Sequence, residues 1–135
     1  MSEELLIRHC SPTLAGLKTG NLFTGEFGDE RELAECMRRW NRMLTKKGVR
    51  AVPLQFRNGR ALIYVYRPER LRMDFSHSMS EQLLQERGYC KDKPGNCVVH
   101  LIKRLQEYEG FPHEIGLFLG SVRMYIGVCL RKEKR

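Results

Sequence analysis

Side chains that can do chemistry gather at four places along the chain. His9-Cys10 sets a thiol beside an imidazole, the pairing from which a low-pKa nucleophile is built. Neighbouring residues at a helix end diverge, so the competing reading is a buried structural cysteine. His113-Glu114 offers an acid, a base or a metal ligand, but the helical zinc-protease pattern needs a second histidine where Leu117 stands. Pro112 and Glu114 equally read as the opening of a helix, with His113 a capping or surface residue. Cys90, Cys97 and His100 are soft-metal ligand types, with His113 or Cys10 as a fourth brought in by folding. Zinc sites are usually built from two tight ligand pairs, and only Cys97 and His100 are closely spaced, so the alternative is an apolar Cys97 at a helix start with His100 on its surface.

The fourth place is a charge concentration. Residues 1–37 hold three basic and seven acidic side chains, whereas residues 38–72 hold eleven basic ones against Glu69 alone, within a net charge of +8. Such a field attracts anions: nucleic acid, phosphate-bearing ligands or acidic protein surfaces. Arg38, Arg39 and Arg42 fall on the exposed flank of a helix, Arg60 opens a strand, and Tyr64 can stack on a base if its sheet face is open. The opposing reading is a solvated surface with the tyrosines under a helix. The chain carries no Gly-rich phosphate loop, nucleophile elbow or telling carboxylate pair, which points away from hydrolase and transferase chemistry. The expectation is therefore a binding or regulatory module with no cofactor. Its alternative is a thiol- or metal-dependent redox or iron-related role for Cys10, Cys90, Cys97 and His100.

Elements must position these groups. At 135 residues, with 41% apolar and 30% charged residues, the chain suits one compact domain over 1–135 with no staple needed. No apolar run is long enough to span a membrane, the first residues lack a secretory pattern, and five cysteines without framework spacing fit reduced thiols, so the expected compartment is the cytoplasm. A short helix over 3–9 should stop at Ser11-Pro12, because the residue before proline is driven out of helical geometry. A strand is expected at 16–23. Over 30–47, Asp29 and Glu32 give a capping box, Leu33, Met37, Trp40 and Leu44 a helical stripe, and Gly48 a stop. A hairpin follows at about 49–67 around Asn58-Gly59, with Pro53 at an edge or a bulge.

Val52, Leu54 and Phe56 should share one face of the first hairpin strand, and Leu62, Tyr64 and Tyr66 one face of the second. Beyond it, Pro68 opens a short helix, Ser78 and Glu81 begin another closed by Gly88, Asn96 caps a helix to Glu109, and Pro112 opens a last one. Alternation of Val122, Met124, Ile126, Val128 and Leu130 reads as a strand. The fold class is α+β, a small mixed sheet flanked by several helices.

Two long motifs carry a resemblance. His9-Cys10-Ser11-Pro12-Thr13-Leu14-Ala15-Gly16-Leu17-Lys18-Thr19-Gly20-Asn21-Leu22-Phe23 and Phe111-Pro112-His113-Glu114-Ile115-Gly116-Leu117-Phe118-Leu119-Gly120 resemble a bacterial family, domain of unknown function 3793, over about residues 3–120. The order of helix, hairpin and helices between them also agrees. The resemblance brings no activity, cofactor or catalytic residue to carry over. After Gly120 the family pattern runs Gly-Tyr-Pro, whereas this chain has Ser121-Val122-Arg123, so 121–135 reads as a divergent or shortened end.

Overall fold

The computed structural model describes residues 3–76, 78–89, 94–107 and 114–120. Its contacts divide the chain into two compact units, Met1–Pro68 and Glu69–Arg135.

The first unit is built as helix α1 (Glu3–Leu14), strand β1 (Gly20–Glu26), helix α2 (Glu30–Leu44) running into a 3-10 turn (Thr45–Lys47), and the hairpin β2 (Arg50–Arg57) and β3 (Arg60–Tyr66). The sheet order is β1-β3-β2. Where a mixed sheet was expected, both strand pairs among the described residues are antiparallel. Asn58 and Gly59 take φ of 52° and 75°, as a tight hairpin turn requires.

Proline 53 has both of its expected features. β2 is an edge strand, and its register shifts between Pro53 and Gln55, leaving Leu54 as the extra residue of a bulge. The shift corrects the face assignment. Ala51 stands beside Val65 and Phe56 beside Ala61 on the face that packs with α1 and α2, while Val52 stands beside Tyr64 on the other. The core of the unit joins Leu6 and Cys10 of α1, Leu33, Cys36, Met37, Trp40 and Leu44 of α2, and Ala61, Ile63 and Val65 of β3.

Helix α2 follows its sequence signals. The Asp29 carboxylate accepts from the Glu32 amide at 2.8 Å, and the Glu32 carboxylate accepts in turn from the Gly28 amide at 2.7 Å. Gly48, at φ 76°, ends the turn that follows it. The Asn41 side chain then bonds both backbone groups of Ala51, donating to its carbonyl at 2.9 Å and accepting from its amide at 2.8 Å. It thereby closes part of the free edge of β2 and ties α2 to the sheet.

Helix α1 departs from expectation by running through Pro12 to Leu14. Proline 12 removes only the amide that would have bonded Arg8, one turn from the end, and the helix then closes on Gly16 at φ 79°. The Leu17 amide reaches the Pro12 carbonyl at 2.8 Å and the Gly16 amide the Thr13 carbonyl at 3.1 Å, which is a Schellman stop. The strand that follows consequently begins at Gly20 rather than at 16.

The second unit continues with α3 (Pro68–Phe75), whose first residue closes the first unit, then α4 (Ser78–Glu86), α5 (Pro94–Glu107) and α6 (Ile115–Phe118). Gly88, at φ 86°, follows α4 as expected. α5 starts at Pro94, two residues before Asn96, because proline at the first helical position loses no hydrogen bond. Leu71, Phe75, Leu84, Tyr89, Val98, Leu101, Leu105, Leu117 and Phe118 are buried, with Phe75 and Phe118 edge to face at 5.0 Å. Pro112 and the expected strand at 122–130 lie outside the described residues.

Candidate functional site

The helix pattern of α2 sorts its residues into two faces. Leu33, Cys36, Met37, Trp40 and Leu44 are buried. Arg38, Arg39 and Arg42 are exposed, and at 100° per residue they lie on the flank opposite that stripe, while Lys46 is exposed in the 3-10 turn that continues the helix. Acids occupy the other end: Glu30, Glu32 and Glu35 fall in its first half, where Glu35 meets Arg31 at 3.4 Å, and none occurs from Cys36 to Lys47. The arrangement follows the helix dipole, anions at the start and cations at the end. The Arg39 guanidinium also donates to the Cys36 sulfur at 3.7 Å.

Other residues weighed with these arginines are placed elsewhere. Arg60 pairs in register with Glu26 and lies 3.8 Å from its carboxylate, at the hairpin end of the sheet. The Phe27 amide joins Gly59 there, and α2 begins three residues later. Arg42 stands twelve residues along the helix, about 18 Å further on at 1.5 Å per residue. Tyr64 is fully buried with its ring stacked on Tyr66 at 4.6 Å, so the open sheet face on which base stacking depended is closed. Burial raises the Tyr66 phenol, against the lowering effect of Arg50, which also hydrogen-bonds it.

His9 and Cys10 diverge. His9 is exposed and lies flat on Phe23, ring centres 5.1 Å apart. Cys10 is wholly buried, and burial pushes its thiol up to about 12. Such a thiol keeps its proton at neutral pH and is no nucleophile. An unfolded chain loses that proton from its ordinary 9.0 upward, so the fold binds it more tightly than the unfolded chain does. The resulting stability is complete below pH 9 and is lost as pH rises through about 12. Melting temperature should therefore fall in alkali from near pH 9, less steeply in Cys10→Ala; an equal fall in both proteins would contradict the assignment.

The first family-like motif is thus a helix stop clasped from the sheet. The Arg67 guanidinium donates to the carbonyls of Thr13 and Leu14, both at 2.7 Å, and of Lys47 at 3.2 Å. Thr13 is buried, and its hydroxyl bonds the Asn21 side-chain oxygen at 2.6 Å.

The second motif contributes Glu114, which is fully buried. Both of its oxygens receive the Arg104 guanidinium, Oε1 from Nε and Oε2 from Nη2 at 3.4 Å, and the Tyr89 hydroxyl lies 3.3 Å from Oε1. Burial first, and the Glu114 charge second, raise the Tyr89 phenol. His100 abuts the Tyr89 ring edge to face at 4.4 Å, and its Nε2 lies 3.3 Å from the Arg87 carbonyl. Cys97 is buried and reduced, as an apolar residue at a helix start would be. Cys90 and His113 lie outside the described residues. Among the described residues no three His, Cys, Asp or Glu side chains come together as metal ligands. Sequence reasoning had Arg67 only as one of the basic residues at element ends and missed Tyr89 and Arg104; their partners stand 53, 25 and 10 residues away with no local pattern to announce them.

With the two motifs placed, their family can be stated. A family model described as "Protein of unknown function (DUF3793)" matches residues 6–125. The chain belongs to the DUF3793 family. The match continues five residues past Gly120, into the segment whose sequence departs from the expected pattern. No curated protein and no solved structure matches the chain. No helix among the described residues of this DUF3793 member is long and apolar enough to cross a membrane.

Proposed function

We propose that this DUF3793 protein is a non-enzymatic binding module whose anionic partner seats on the flank of α2 and of the turn that continues it, where Arg38, Arg39, Arg42 and Lys46 stand. The observation that carries the reading is the row itself. These four exposed cations follow one another along a helix fixed to the sheet and into the turn that continues it, in a stretch without a carboxylate. A fixed row of like charges costs self-repulsion that an anionic polymer relieves on binding. Arg60 and Tyr64 are left out of the seat, the first by its place beside Glu26 and the second by burial. The cytoplasm is the compartment assumed, with Cys10, Cys36 and Cys97 as thiols.

The reading is tested by titrating the full chain into a fluorescent nucleic acid at rising salt. Affinity should fall steeply and linearly on a log–log scale, because each seated phosphate releases condensed counterions. Binding that ignores salt, or its absence at low salt, would sink the proposal.

A further inference from the structure

Resting on that reading, we infer that the partner is double-stranded nucleic acid, held by the phosphates of one strand without readout of base sequence. The first ground is spacing. Arg38, Arg42 and Lys46 follow each other at four-residue intervals, each step about 6 Å along the axis, so the row is about 12 Å long with Arg39 beside it. A B-form strand advances about 3.4 Å along the duplex axis per phosphate while it winds around that axis, so the row spans a few successive phosphates.

The second ground is rigidity. Five buried residues and the two Asn41 bonds to Ala51 hold α2 against the sheet, so the backbone that carries the charges is ordered before binding. A duplex backbone is an evenly charged rail that matches such a row. Carboxylates on an acidic protein surface follow no such repeat. Three of the four cations are arginines, whose planar forks take two oxygens of one phosphate.

The third ground separates duplex from single strand. Proteins that hold single strands lay bases on exposed aromatic rings. Trp40, Tyr64 and Tyr66 of this unit are 0%, 0% and 3% exposed, and Phe56 packs against the core. A duplex keeps its bases stacked internally and asks for no such platform. Glu30, Glu32 and Glu35 set the limit of the contact, since they would repel phosphate along the first half of α2.

The test uses the full chain and fluorescence anisotropy with four probes: two mixed-sequence duplexes of equal length, one of their single strands, and poly-glutamate. Both duplexes should bind within about twofold of each other, the single strand and poly-glutamate about tenfold more weakly. The duplex log–log salt slope should be about −3 to −4, reduced by about one in Arg38→Gln. A single strand or poly-glutamate that binds as tightly as duplex, or a strong preference between the duplexes, overturns this inference and leaves the anionic seat standing. Failure of every probe at low salt overturns both.

Discussion

Glu114→Ala is expected to cost about 3–5 kcal/mol of stability, because it removes the carboxylate of a buried pair in which the Arg104 side chain is only 14% exposed. The carboxylate it removes is 1% exposed and carries the full set of local partners, both Arg104 contacts and the Tyr89 hydroxyl. Arg104→Ala should cost as much, since among the described residues a buried carboxylate then keeps only the Tyr89 hydroxyl. Replacing both together, by Leu at 114 and Met at 104, should recover most of the loss, because the desolvation of two charges disappears with them. Tyr89→Phe should cost about 1 kcal/mol, the ordinary worth of one hydrogen bond. Urea unfolding followed by circular dichroism reads all four. A loss below about 1 kcal/mol in Glu114→Ala would show that the pair is not the anchor of the second motif.

Arg67→Met should cost about 2–4 kcal/mol, again by urea unfolding. The change keeps the apolar stem and removes three bonds to the carbonyls of Thr13, Leu14 and Lys47. Those carbonyls end α1 and the turn after α2, where the helical ladder no longer supplies partners, although that of Thr13 also receives the Gly16 amide at 3.1 Å. Arg67→Lys should recover little, since one ammonium cannot serve three carbonyls arranged around a planar fork. Full stability in the lysine variant would mean that charge alone matters there.

These two anchors explain what could be read in advance and what could not. α2 was legible because cap, stripe and stop all lie within twenty residues, each the consequence of local geometry. The Asn58-Gly59 hairpin was legible for the same reason, as was the double role of Pro53. The end of α1 was misread because the cost of Pro12 depends on how near the helix end it falls, and that end is set by Gly16 and by Arg67 from β3's far side. The face assignment in β2 failed because a one-residue bulge inverts the alternation after it. The motif residues looked chemical for a related reason: His9-Cys10 and Glu114 are reactive types, but burial and partners decide what they do. Cys10 lies in the core beside α2 and the sheet, and Glu114 is consumed by Arg104 and Tyr89. The cations of α2 were legible as an exposed flank from periodicity alone, whereas the pairing of Arg60 with Glu26 needed the register of β1 against β3.

The central claim, an anionic partner seated on α2, is tested most directly by reversing one charge in the row and one elsewhere. Arg42→Glu and Lys103→Glu change the net charge equally, and both residues are exposed, Lys103 on α5. With a labelled duplex at fixed moderate salt, Arg42→Glu should weaken binding by about tenfold or more while Lys103→Glu stays within about twofold. Equal losses in the two variants would mean that net charge rather than the α2 row attracts the partner, and would contradict the account.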